Sequence, residues 1–324
     1  MSAQTIFVTG AAGFVGSRLA KRLLDRGDRV VGHDNLNDYY AAEHKQRHLR
    51  DLLPSGNFTF VKGDLRDADD LKRLFAEHRP AKVAHLAAMA AVRYSVKHPL
   101  IYGEVNVQGT MNLMDAARAA GPVPCVLTST GSVYGTNTPI PFREDAAADR
   151  PLAPYSGSKR AMEMMASAFS HMYKLPVTVL RFFNVYGPHG RPDMMPWQWT
   201  QMIARGEPVA LYTDHGHQLR RDWTYVDDIV DGFVAALDRA APAEYEIFNL
   251  GCGNPVENIH FIRTLERLLG KTAQIHEEQA PASEMPVMYA DVSKAGRVLG
   301  YRPKVMVEEG LRRFVEWMRA EKLV

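Results

Sequence analysis

The chain has 324 residues, 46% of them apolar, which suits one large α/β unit or about two domains. Its 39 basic and 37 acidic residues leave a formal charge of +2, giving no electrostatic case for nucleic acid or a membrane surface. Two cysteines, Cys125 and Cys252, exclude a disulfide framework and a cysteine-rich metal cluster, fit a reducing cytoplasm, and are expected to be small buried apolar groups.

In chain order, "QTIFVTG" reads as a strand that enters almost at once, with no basic-then-apolar leader ahead of it. "FVGSRLAKRLLDRG" follows as a helix, with Val15, Leu19 and Leu23 at helical spacing and Gly27 as its stop. "DRVVGHDN" and "FTFVKGDLRD" read as the second and third strands, "ADDLKRLFAEH" as a helix and "KVAHLAA" as the fourth strand. A long helix is expected around Val105 to Ala120, then strands "PCVLTST" and "PVTVLRFFNVYG". Apolar strands alternating with amphipathic helices predict a doubly wound parallel sheet, the Rossmann type of α/β fold. The Pro- and Gly-rich "PHGRPDMMPW" breaks that rhythm near Gly187, whereas "YEIFNLGCG" looks like a strand returning to the sheet. The expected division is therefore interleaved. Residues 1–186 with about 222–260 form the nucleotide domain, and about 187–221 with 261–324 form a smaller substrate domain. The final amphipathic helix puts Leu311, Phe314, Val315 and Met318 on one side, as core. No apolar run approaches the roughly 18 residues of a membrane span.

Gly10, Gly13 and Gly16 stand in "TGAAGFVG", between the first strand and the first helix. Glycines there let the backbone turn tightly and approach a pyrophosphate at the positive helix end. Asp34 ends the second strand, placed to accept the adenosine ribose hydroxyls and to repel a 2′-phosphate. No basic residue follows directly in "HDNLNDYY", which favours NAD over NADP. Asp64, after the third strand, is a candidate for the adenine amino group or a helix-leading acid. "YSGSK" puts Tyr155 and Lys159 four apart on one helix face. A free tyrosine has a pKa of about 10, and a nearby ammonium would favour its phenolate as a base. "TSTGSVYG", at a strand end about 20 residues earlier in the chain, is rich in hydroxyls and carries no acid.

Together "TGAAGFVG", "DNLNDYY", "GDLRD", "HLAA", "STGSVYG", "YSGSK", "RFFNVYGPHGRPDM" and "RRDWTYVDD" resemble the extended short-chain dehydrogenase/reductases, specifically the nucleotide-sugar epimerases. "DNLNDYY", "AVRYS" and "GPHGRPDM" most resemble the UDP-glucuronate 4-epimerases. The resemblance implies an enzyme with retained NAD that takes UDP-glucuronate to UDP-galacturonate through a 4-keto sugar. Tyr155 would be the base, Lys159 would hold the nicotinamide ribose and lower the tyrosine pKa, and Thr130 and Ser132 would serve the 4-oxygen and carboxylate. Cofactor contacts would come from Gly10, Gly13, Phe14, Val15 and Gly16, from Asp34 and Asn35, and from Asp64 and Leu65. Leu86, Ala87, Ala88 and Phe182 would line the nicotinamide end. Substrate contacts would come from Arg93, Asn184, Arg191, Arg221 and Glu284. Trp223 and Tyr225 either stack on a ligand or pack; His85 is expected to be structural, and no metal spacing is present. Relatives of this type also imply a homodimer, formed through the helices after His98 and from Tyr155, whose Met162, Met165 and Phe169 equally suit a core.

The acid-free loop separates this chain from its relatives. Sugar 4,6-dehydratases carry Asp-Glu directly after the threonine, and UDP-glucuronate decarboxylases carry a glutamate two positions after it. Here those places hold Gly131 and Ser132. The alternatives are a UDP-glucose or other UDP-hexose 4-epimerase, the decarboxylase, an NADP-dependent sugar reductase, and a dinucleotide-sensing regulator. The last often lacks the tyrosine or lysine that are present here. Gly131 and Asn184 stand where UDP-glucuronate epimerases often have serine and threonine.

Overall fold

The protein is described from a computed structural model, which covers residues 3–239 and 245–324. Six strands follow in chain order: β1 (Thr5–Thr9), β2 (Arg29–Asp34), β3 (Phe58–Lys62), β4 (Lys82–His85), β5 (Cys125–Thr130) and β6 (Val177–Phe182). They form one parallel sheet with the strand Glu246–Leu250, in the spatial order Glu246–Leu250, β6, β5, β4, β1, β2, β3. The order reverses between β1 and β4, so the crevice at their C-terminal ends is where an open α/β sheet binds ligands. The returning strand pairs Leu250 with Phe182, as the sequence pattern predicts.

The helices that matter to the site are α1 (Phe14–Asp25), α2 (Ala42–Arg50), α3 (Ala68–His78), α4 (Val92–Lys97), α5 (Pro99–Tyr102), α6 (Thr110–Ala119) and α7 (Pro154–Tyr173). Between α5 and α6 the backbone passes through a π-helical stretch, Gly103–Gly109. The helix expected from Val105 therefore begins earlier, at Pro99, and is locally underwound and wider, a feature that often marks functional sites. Apolar residues of the sheet pack in two layers, one per face. One includes Ile6, Val8, Leu19 and Leu23; the other includes Phe7, Leu71, Leu113 and Met162. Two-sided burial explains why the strands read as continuous apolar runs.

Smaller sheets lie beyond the main one. Pro208–Asp214 pairs in parallel with Gln274–Gln279, and Arg220–Arg221 lies between Val256–Glu257 and Val287–Met288. The C-terminal helix Val307–Ala320 buries Leu311, Phe314, Val315 and Met318, as its stripe predicts. Trp223 and Tyr225 are buried, with Trp223 4.7 Å from the Phe261 ring, so they pack and do not stack on a ligand. Cys125 is buried as expected, but Cys252 is only partly so. Among the described residues no helix is long and apolar enough to cross a membrane, and no cluster of metal-ligating side chains is present.

Candidate active site

A cleft of about 560 Å³ opens at the C-terminal ends of β1, β2, β4, β5 and β6. The turn from β1 to α1 forms one end. Gly10 has φ +69°, and a Cβ there would stand 2.7 Å from the Ala87 amide nitrogen. A Cβ on Gly16 would run into the Gly10 carbonyl, so the turn closes only on glycine. Helix α1 begins with no side-chain cap and no acid in its first turn. Its free N–H groups and positive end are left for an anion. Helix α3 makes the opposite choice: Asp67 caps the Asp70 amide, and Asp69 and Asp70 fill the first turn.

Beside this turn, Asp34 accepts the Ala12 and Leu36 amides at 3.2 and 2.8 Å. No basic residue follows Asp34 directly in the chain, but one reaches it from the next helix. Lys45 on α2 is buried with its Nζ 3.5 Å from the Asp34 carboxylate, and it donates to Asn37 Oδ1 at 3.0 Å. Lys45, His48 and Leu49 make the buried stripe of α2, and a lysine in such a stripe was the available signal. Asp64 accepts from Asn35 at 3.0 Å, and its bonds to Arg66 hold its carboxyl well below the usual range. The lining also includes Phe14, Val15, Leu65, Leu86, Ala87 and Ala88.

At the other end, Thr130 finishes β5 and Gly131–Tyr134 turns as a 3₁₀ helix, with the Thr130 hydroxyl capping the Ser132 amide at 3.2 Å. A Cβ at Gly131 would stand 2.6 Å from the Phe183 ring, so this ring fills the room a serine side chain would take. Helix α7 delivers Tyr155 and Lys159 to the cleft on one buried face. Burial raises the Tyr155 pKa, while the Thr130 hydroxyl and the charge of Arg191 oppose the rise. The Lys159 ammonium donates to the Thr128 carbonyl at 2.8 Å. Burial pushes Lys159 down to about 8, against an upward pull from Glu163. Phe182, Asn184, Ser132 and Arg191 complete this end. Asn184 has φ +23°, where a β-branched residue would be strained, and its buried Oδ1 has no hydrogen-bond partner among the described residues.

Behind these groups runs a polar chain that sequence reasoning missed. Thr9 and Thr110 hold the His85 ring nitrogens at 2.7 and 2.9 Å, so His85 is structural. Burial pushes it down to about 3, which keeps it neutral. Thr110 donates to the Asn106 carbonyl, Asn106 donates to Ser158 at 2.9 Å, and Ser158 donates to the Tyr155 carbonyl. Asn106 sits inside the π-helical stretch.

Three expected substrate residues are not in the cleft. Arg221 pairs with Glu284 at 2.9 Å, Arg93 lies 3.9 Å from the same carboxylate, and Arg93 donates to the Tyr212 hydroxyl at 3.2 Å. They gather beside its mouth, since Arg221 pairs in the strand register with Met288, a lining residue. Arg191 is in the cleft but is held by Asp193 at 2.9 and 2.5 Å.

Residues 7–314 match the family model described as GDP-mannose 4,6 dehydratase. The chain belongs to the extended short-chain dehydrogenase/reductase family. It is 41% identical to a UDP-glucuronate 4-epimerase of Thermodesulfobacterium geofontis, over 96% of this chain and 95% of that protein. It is 40% identical to UDP-glucuronate 4-epimerase 4 of Arabidopsis thaliana, over 97% of this chain and 75% of the other. Among solved structures, UDP-glucuronic acid 4-epimerase from Bacillus cereus in complex with UDP-glucuronic acid and NAD superposes with a TM-score of 0.91. It is 32% identical, covering 98% of this chain and 99% of that one. UDP-glucose 4-epimerase of Thermotoga maritima reaches 0.89 at 31% identity, covering 98% and 99%.

Proposed function

We propose that this protein is an NAD-dependent UDP-glucuronate 4-epimerase, which inverts C4 of the sugar and keeps its carboxylate. The observation that carries the reading is the meeting of Thr130, Tyr155 and Lys159 beside an acid-free turn, in a chain about 40% identical along its length to UDP-glucuronate 4-epimerases. The uncapped start of α1, the glycine turn and the Asp34 carboxylate suit a dinucleotide pyrophosphate and ribose. NAD, when bound, supplies a reversible hydride acceptor next to C4.

Tyr155 takes the proton of the 4-hydroxyl and returns it to the 4-oxygen on the other face of the sugar. Thr130 hydrogen-bonds that oxygen in both states and favours the phenolate of Tyr155. Lys159, protonated below about pH 8, anchors the nicotinamide ribose while tied to the Thr128 carbonyl. Lys45 joins the cofactor set: its position beside Asp34 supports a contact with the ribose or phosphates. A 4-keto uronate loses carbon dioxide when the C5–carboxylate bond stands perpendicular to the ketone plane. Ser132, Asn184 and Thr130 hold the carboxylate out of that alignment, and Gly131–Ser132 offers no acid to drive dehydration. Arg191, Arg93, Arg221 and Glu284 take the diphosphate, carboxylate and uridine ribose.

The domain division proposed is residues 1–186 with 222–260, and 187–221 with 261–324; residues 1–2 and 240–244 of these spans lie outside the described residues. The place of Glu246–Leu250 in the main sheet supports it. A homodimer is supported by the exposed Val96, Leu100, Met164 and Met172 on α4, α5 and α7. The free cysteines fit a cytoplasmic setting.

Incubation of the purified protein with UDP-glucuronate, followed by proton NMR, is expected to yield UDP-galacturonate without added NAD. UDP-xylose as the main product, or no turnover, overturns the reading. Tyr155→Phe should lower turnover by about 10³-fold or more while the fold and bound NAD remain. Full activity in that variant removes Tyr155 as the base.

A further inference from the structure

Glu163 is fully buried, charged and outside the cleft. It lies on α7 one turn beyond Lys159, on the buried face of the helix. Four donors converge on its carboxylate. Arg181 of β6 binds it through Nε at 2.9 Å and through a terminal nitrogen at 2.7 Å. The Ser129 hydroxyl of β5 donates to it at 2.5 Å, and Arg160 donates at 3.0 Å. Such a pair is a weak source of net stability, since desolvating the two charges offsets most of their attraction. Its geometry, however, is highly determined.

What it joins is the reacting end of the cleft. Ser129 stands between Thr128, whose carbonyl takes the Lys159 ammonium, and Thr130, the partner of Tyr155. Alternation along β5 turns the Ser129 side chain away from its neighbours and toward Glu163. Arg181, held by Glu163, stacks its guanidinium 4.6 Å from the Tyr134 ring centre. Tyr134 closes the turn that carries Gly131 and Ser132, and its hydroxyl donates to Asn249 at 2.7 Å. One carboxylate thus touches the strand that ends in Thr130, the helix that carries Tyr155 and Lys159, and the arginine under the hydroxyl turn.

We propose that Glu163 is the positioning residue of this site: gripped by Arg181, Arg160 and Ser129, it holds β5, α7 and the Gly131–Tyr134 turn in register, one helical turn beyond Lys159. The inference rests on the roles given above to Tyr155 and Lys159. Among the described residues, the charged and titratable groups around Lys159 are Glu163 and Tyr155 on its own helix, His85 on β4, and Arg181 on β6 behind Glu163. Burial lowers the Lys159 pKa, His85 is neutral here, and the Glu163 charge opposes the fall by favouring the ammonium. The sign follows. Removing the Glu163 charge makes Lys159 lose its proton at lower pH, and activity that needs the ammonium then falls at lower pH.

The test is Glu163→Gln, read in two ways. In protein labelled with ¹³Cε-lysine, the Lys159 titration, assigned by its absence from Lys159→Met, should move down by about one unit. The alkaline limb of kcat for UDP-glucuronate should move with it. Should the single variant fail to fold because Arg181 is left unpaired, Glu163→Gln/Arg181→Met removes both charges. It is expected to fold, and to leave the Lys159 titration closer to that of the parent. Ser129→Ala, which alters no charge, should lower kcat about tenfold with little change in KM, the sign of misplacement. A Lys159 titration and alkaline limb unmoved in folded Glu163→Gln, or an unchanged kcat in Ser129→Ala, overturns the proposal. Tyr155→Phe in the same assay separates the cases: if it stays active, the catalytic assignment fails; if it is dead while Glu163→Gln behaves like the parent, only the positioning role fails.

Discussion

The two ends of the cleft are built on opposite plans. At the cofactor end, the turn that faces the anion site is made of backbone. Gly10 and Gly16 leave no room for side chains, and α1 opens with uncapped amides, so the anion site exists before any ligand arrives. The opposite end and its mouth carry long side chains whose charges are already spent on each other: Arg191 on Asp193 inside the cleft, and beside its mouth Arg221 on Glu284, with Arg93 near the same glutamate. A preformed site binds with little reorganisation, whereas paired charges must be re-partnered each time a ligand enters or leaves. That contrast suits a cofactor that stays and a substrate that turns over.

The largest expected effect breaks the cofactor end alone. Gly16→Ala puts a methyl group into the Gly10 carbonyl, and the strain of about 3 kcal/mol should lower NAD retention by about 100-fold or more. The NAD content of the purified protein, read after heat release, measures it; calorimetric UDP binding should persist. Equal loss of both ligands would mean that the two ends are not independent. Arg221→Ala probes the other end. Loss of one charged hydrogen bond to a phosphate or carboxylate, about 1.5–3 kcal/mol, should raise KM for UDP-glucuronate by about 10- to 100-fold with NAD content unchanged. An unchanged KM would make Arg221 a structural partner of Glu284 and nothing more. The smallest effect lies at the hydroxyl turn. Ser132→Ala should raise the share of decarboxylated pentose product by about threefold at nearly unchanged turnover, for the loss of about one hydrogen bond. A product ratio equal to the parent's would move carboxylate control to Asn184 and Thr130.

The same division governs what could be read from the chain. The glycine turn, α1 and the Tyr155–Lys159 face are local, set by neighbours within one or two turns, and the expected strands and helices match in order and place. The helix expected from Val105 begins instead at Pro99 and passes through a π-helical stretch in which Asn106 reaches Ser158; nothing in hydrophobic spacing encodes that extra residue per turn. Lys45 was missed because it reaches Asp34 from the next helix, not from the residues after it. The anchor of Lys159 was hidden for a related reason: it is a strand carbonyl, invisible in a side-chain motif.

By itself, the sequence determined the alternation of parallel strands and helices, the turn that only glycine can make, the pairing of a tyrosine and a lysine on one helix face, and the absence of acid after Thr130. Those are consequences of backbone geometry and short-range periodicity. Tertiary structure alone decided which charges neutralise each other. Arg221 and Glu284 are 63 residues apart in the chain, and Glu163 meets Ser129 from 34 residues away. The physical reason is burial: the sheet brings these groups together out of water, where a charge must find a partner, and the partner is whichever side chain the fold places within reach.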